Sequence, residues 1–295
     1  MIAPMRLIVI LIIVLATAVW AGAAVLGLTA CGNGGSNGGA GRETVVASFY
    51  PLAYAAEQIG GSRVDVENLT PPGAEPHDLE VSPQDVAAIR EADLVLLLGR
   101  GFQPQLEDAA GTGANVLRLL DTPGLGLHAN NDPHVWLDPL RYAKIVARIG
   151  QALRAPAAAE RLIERLRSLD AEYRRGLTNC RRDEIVTSHE AFAYLAERYG
   201  LHQVAITGLS PEAEPDPGKL ADVVNLVRAH GVTTIYFETL VSPRIAETVA
   251  RETGSKTAVL DPIEGLTEDE RAHGDDYFSL MRRNLAALEA GLGCS

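Results

Sequence analysis

AAAERLIERLRSLDAEYRRGLT, residues 157–178, decides the architecture of this chain. It holds no proline, and Leu162, Leu166, Leu169 and Tyr173 recur at spacings of three and four among charged residues. That pattern predicts one amphipathic helix from Ala157 to about Thr178, roughly 33 Å long at 1.5 Å per residue. Four short apolar runs precede it: Thr44–Phe49, Val64–Leu69, Leu94–Leu98 and Asn115–Leu119. Four more follow: Glu184–Thr187, Gln203–Ile206, Thr233–Phe237 and Lys256–Leu260. Rich in Val, Ile and Leu, they read as strands buried on both faces of parallel sheets. Ser82-Pro83, Asp138-Pro139, Asp216-Pro217 and Ser242-Pro243 each set a capping side chain before a proline suited to the first helical turn. The expected fold is therefore α/β: two lobes, each with a four-stranded, mostly parallel sheet flanked by helices, joined by one long rigid helix. The lobes span 43–140 and 181–295, with connecting helices over 141–180.

The whole chain has 295 residues, 38 acidic against 26 basic, and a formal charge of −12. An apolar fraction of 47% excludes a disordered chain, and no basic patch offers itself to nucleic acid. The amino terminus stands apart. From Leu7 to Ala30 there is no charge, and Leu28-Thr29-Ala30-Cys31 resembles the lipobox of bacterial lipoproteins. Cleavage before Cys31 and lipidation of its thiol would remove residues 1–30 as a signal peptide; the alternative is an uncleaved membrane anchor. Residues 31–42, with six Gly between Gly32 and Gly41, form a flexible tether.

An extracytoplasmic setting permits disulfides. Cys180 and Cys294 are then the remaining thiols and are expected to pair, which would contribute on the order of 4–5 kcal/mol in the chain-entropy model. Two separate buried thiols are the alternative.

Three of the seven His sit at carboxyl ends of expected strands, where open α/β sheets form their ligand crevice. His77 follows the second run, His134 the fourth and His189 the fifth; Asp261 ends the last in the same way. Three imidazoles and one carboxylate make a four-coordinate set suited to zinc. The four are widely separated and come from both halves of the chain, so they imply a site between the lobes. His128, His202, His230 and His273 read as non-ligands. Asp78, Glu190 and Glu238 are candidates to accept a hydrogen bond from the other ring N–H of a ligating His, and Glu238, at a strand end, faces the same crevice.

At these residues the chain resembles the metal-binding, cluster A-I solute-binding proteins of bacterial ABC importers, the group with zinc and manganese receptors. The motifs are Pro-Gly-Ala-Glu-Pro-His-Asp at 72–78, Asp-Pro-His-Val-Trp-Leu-Asp-Pro at 132–139 and Ser-His-Glu-Ala-Phe at 188–192. Further matches are Leu209 to Pro215, Phe237-Glu238 through Asp261-Pro262, and Tyr277 to Met281 with Asn284-Leu285. The resemblance covers nearly all of residues 43–295. It implies the same two-lobe fold and carries metal ligands onto His77, His134, His189 and Asp261.

Manganese-type members tend to have Glu where this chain has His189, so the resemblance points to Zn2+ as the bound transport substrate ahead of Mn2+. Two features depart from the family pattern. Residues 120–131 hold only His128 where many zinc members carry a His-rich loop, and Pro76 stands where some use Glu before the first His. The implied partners are an ABC transporter permease, the membrane through the N-terminal lipid, and a metallochaperone as a metal source, with the receptor a monomer. The alternatives are a manganese or iron receptor, a zinc-dependent hydrolase using Asp261 as base, and a metal-binding adhesin.

Overall fold

The computed structural model describes residues 41–295; the expected signal segment 1–30 and the lipidated Cys31 lie outside the described residues. The first sheet comprises β1 (Glu43–Ala47), β2 (Val64–Asn68), β3 (Leu94–Leu97) and β4 (Val116–Arg118). All are parallel in the order β2-β1-β3-β4, with Val45 opposite both Val66 and Leu94. Parallel pairing needs long crossovers, supplied by α1 (Tyr50–Gly60), α2 (Pro83–Glu91) and α3 (Pro104–Ala110). Ser82 starts α2 as expected, in a capping box with Asp85.

Next come α4 (Pro139–Ala152), capped by Asp138, and α5 (Pro156–Gly176). Helix α5 is the long helix read from the sequence, and Leu162, Leu166, Leu169 and Tyr173 all lie on its buried face. It ends at Gly176 rather than near Thr178. A Cβ on Gly176 would fall 2.2 Å from the Glu289 carboxylate and 3.0 Å from Leu285, so a larger residue there would push the Glu289 side chain aside.

The second sheet repeats the first plan. Its strands β5 (Glu184–Thr187), β6 (His202–Ala205), β7 (Thr234–Phe237) and β8 (Lys256–Val259) run parallel in the order β6-β5-β7-β8. The crossovers are α6 (Ala193–Tyr199), α7 (Pro217–His230) and α8 (Arg244–Thr253); α9 (Glu268–His273) and α10 (Tyr277–Leu292) close the chain. Asp216 caps α7 as expected, but Ser242 does not cap α8. Pro243 itself occupies that cap position, and the helix begins one residue later at Arg244.

One apolar core runs from Phe49 and Trp136 through Tyr142, Leu166 and Tyr173 to Tyr277 and Leu288, so α5 and α10 share it with the first sheet. Smaller cores lie on the outer faces of the sheets, around Val95 and Leu106 and around Ile235 and Val249. The buried tyrosines hold their hydroxyls in hydrogen bonds, Tyr142 to the Pro51 carbonyl at 2.5 Å and Tyr173 to that of Met281 at 2.6 Å. Cys180, after α5, and Cys294, after α10, are joined in a disulfide that closes a separation of 114 residues. No helix among the described residues is long and apolar enough to cross a membrane.

Candidate metal centre

Each ligand-bearing loop leaves the carboxyl end of a strand and is fixed locally before it presents a side chain. His77 follows β2 in a proline-rich turn, and its backbone N–H donates to Glu75 Oε1 at 3.0 Å. His134 lies in Asp132-Pro133-His134, where Asp132 Oδ1 accepts from both the backbone N–H (3.0 Å) and Nδ1 (2.7 Å) of His134. His189 follows β5; Thr187 and Gln203 hold its carbonyl, and its Nδ1 donates to Glu238 Oε1 at 2.6 Å. With Nδ1 so engaged, both buried rings turn Nε2 inward.

The inward atoms converge. Nε2 of His77, His134 and His189 lie 3.2, 3.0 and 3.7 Å from Glu264 Oε1, and Nε2 of His134 and His189 are 3.3 Å apart. The four donors all fall within 4.8 Å of one another. Corners of a tetrahedron with zinc bonds of about 2.0–2.1 Å are about 3.3–3.4 Å apart; the distances of 3.0 to 3.7 Å around Glu264 Oε1 bracket that value, while the whole group spreads to 4.8 Å and would draw in slightly around an ion. His134, His189 and Glu264 are fully buried and His77 is slightly exposed. Glu264 Oε2 is buried without a hydrogen-bond partner, a costly state for a carboxylate unless a cation is near.

The charges are interlocked. Burial alone would lower the pKa of His189, yet the charge and hydrogen bond of Glu238, with help from Glu264, push it up to about 10. His134 is raised too: burial opposes, and its bonds to Asp132 and Glu264 prevail. Burial works against ionised Glu264, but hydrogen bonds from His134, His189 and His77 hold it well below the usual carboxylate range. Glu75, pushed up by burial and by the Glu264 charge to about 9, completes the surroundings.

His77, His134 and His189 come together as expected, but Asp261 is absent from the donor group and Glu264 stands in its place. Asp261 is turned into its own loop, where Oδ1 accepts from the Ile263 N–H at 2.7 Å and Oδ2 from the Thr239 hydroxyl at 3.0 Å. Of the three expected supporting carboxylates, Glu238 meets a ligand ring. Asp78 is exposed, and Glu190 accepts a long bond from Asn130. Asp132 is legible in the sequence only as a local turn signal, a carboxylate two residues before His134. Glu264 bears one mark in the sequence, a lone charge between Ile263 and Leu266. His128 stacks on Tyr194 and pairs with Glu197 outside the cluster, while His202, His230 and His273 are exposed.

A family model described as zinc-uptake complex component A, periplasmic, matches residues 45–291. The chain belongs to that family. Among its relatives, the zinc-binding lipoprotein AdcA of Streptococcus pneumoniae (strain ATCC BAA-255 / R6) is 37% identical over 291 residues, covering 89% of this chain. The high-affinity zinc uptake system protein ZnuA of Bacillus subtilis (strain 168) is 35% identical over 299 residues, 90% of this chain and 93% of that protein. The chain spans 58% of the length of the AdcA relative. In solved structures, the Zn(II)-bound ZnuA-like domain of S. pneumoniae AdcA superposes with a TM-score of 0.73 at 37% identity, over 85% of this chain and 99% of that one. The laminin-binding protein Lmb of Streptococcus agalactiae, described as bifunctional with adhesin and metal transporting activity, gives 0.77 at 31% identity, over 85% and 99%.

Proposed function

We propose that this zinc-uptake family member is an extracytoplasmic receptor that takes Zn2+ as its cargo on His77, His134, His189 and Glu264 and hands it to the permease of an ABC importer. The observation that carries this reading is the set of three imidazole nitrogens and one carboxylate oxygen gathered within 4.8 Å. Imidazole-rich donor sets favour zinc over manganese, which prefers more oxygen. A catalytic zinc keeps a position open for water; here Glu264 stands in the fourth place, which supports capture rather than hydrolysis. Attachment to the membrane through Cys31, a monomeric state and metal supply by a metallochaperone belong to the same proposal, as do lobe limits at 43–140 and 181–295. Zinc-named relatives support it.

The test is competitive titration of the full chain with Zn2+ and Mn2+ against a chromogenic chelator, with Glu264→Gln and His134→Ala alongside. Zinc is expected to bind far more tightly than manganese. Either variant should lose more than the roughly 100-fold that removal of a supporting partner costs. Equal affinity for the two metals, or unchanged zinc binding in both variants, refutes the reading.

A further inference from the structure

Asp261 is a buried carboxyl that the donor set does not use, and its surroundings show a different task. Just beyond it, Ile263 has φ 57°, and among the described residues it is the one β-branched residue with positive φ. That region crowds the Cβ of an L-residue, most severely when Cβ is branched, and it persists only where the surroundings impose it. Here they do, from three directions. The Ile263 N–H donates to Asp261 Oδ1 at 2.7 Å, and Thr239 donates to the other oxygen at 3.0 Å. Asn284 of α10 grips the Asp261 backbone twice, accepting from its N–H at 2.8 Å and donating to its carbonyl at 2.6 Å. Trp136, from the His134 loop, donates its indole N–H to the Pro262 carbonyl at 2.7 Å. Asp261, Ile263, Asn284 and Trp136 are all buried.

We propose that Asp261, with Asn284 and Trp136, is a positioning device that holds Ile263 in the left-handed conformation, and that this turn sets the Glu264 carboxylate on the three imidazoles. An ordinary φ at Ile263 would rotate the following peptide and carry Glu264 off the cluster. The inference rests on the reading of Glu264 as a zinc ligand and adds how that ligand is aimed.

The experiment measures zinc affinity of the full chain by chelator competition in Glu264→Gln, Asp261→Ala, and Asp261→Ala combined with Ile263→Gly. Asp261→Ala is expected to weaken zinc about 10–100-fold, as loss of a supporting partner does. Adding Ile263→Gly should restore most of that loss, because glycine adopts the left-handed turn without a clamp; general loosening of the fold would not be repaired this way. Unchanged affinity in Asp261→Ala, or a loss that glycine does not recover, overturns the inference. Unchanged affinity in Glu264→Gln instead overturns the ligand assignment on which it rests. Should Asp261→Ala not fold, Trp136→Phe, which removes the indole donor to Pro262, gives the same comparison with and without Ile263→Gly.

Discussion

His189 donates its Nδ1–H to Glu238 Oε1 over 2.6 Å, linking the loops that follow the two central strands, β5 and β7, of the second sheet. The contact fixes the tautomer that leaves Nε2 free for a metal, and it orients the ring inside a buried cluster. Replacing Glu238 with Gln keeps the shape and removes the charge. Zinc affinity should fall about 10–100-fold while the fold survives, with circular dichroism as the control. A variant that binds zinc like the parent would show that the contact is incidental.

The same charge pair makes binding pH-dependent, and the sign can be worked out. The folded pKa of His189, about 10, lies above its ordinary value of 6.5. Its protonated ring therefore contributes stability to the metal-free protein that is fully present below about pH 6.5 and is lost as pH rises through about 10. Zinc needs the neutral ring, so affinity should climb over that same window. Imidazoles with ordinary pKa values would confine the loss to below about pH 6; the paired carboxylates move it upward. Calorimetry near neutral pH in buffers of different ionisation enthalpy should report about one proton or more released per zinc. No release would contradict the assignment of a charged His189 in the metal-free state.

Selectivity should reside largely at the same ring. His189→Glu exchanges a nitrogen donor for an oxygen, giving two imidazoles and two carboxylates, a harder set better matched to manganese. The ratio of zinc to manganese affinity should fall at least about tenfold, mostly through weaker zinc binding. Parallel chelator competitions with the two metals measure it directly, and an unchanged ratio would place selectivity elsewhere.

The sequence shows the scaffold more readily than the aim of its loops. Strands buried on both faces must be short apolar runs, so segments such as Leu94–Leu97 and Glu184–Thr187 declare themselves. The stripe of α5 is equally plain because every residue of it is buried. Histidines at strand ends are visible too, since parallel sheets gather their loops at one edge. The fourth donor is not. Asp261 follows β8 as closely as His189 follows β5, yet the chain bends once more before a carboxylate meets the cluster. That bend runs through Ile263 at φ 57°, where glycine or asparagine would have flagged a left-handed turn and isoleucine gives no sign. Asp261 holds it with the help of Asn284 and Trp136, which are distant in the chain, so a local reading does not reach it. The start of α8 fails for a related reason: Ser242-Pro243 has the form of a cap, but the proline takes the cap position itself.

The disulfide offers a prediction independent of the metal. Cys180 and Cys294 tie the segment after α5 to the chain end after α10, across a separation of 114 residues. Such a link removes loop-closure freedom from the unfolded chain, on the order of 4–5 kcal/mol in the entropic account. A double Cys180→Ser, Cys294→Ser variant should therefore unfold on the order of 10 °C below the parent. Reductant should lower the parent towards the variant and leave the variant unmoved. Because both helices belong to the core that also contains Trp136 and Tyr277, melting should stay a single transition in either protein. A variant that melts with the parent would mean that the unfolded chain already holds the two ends together.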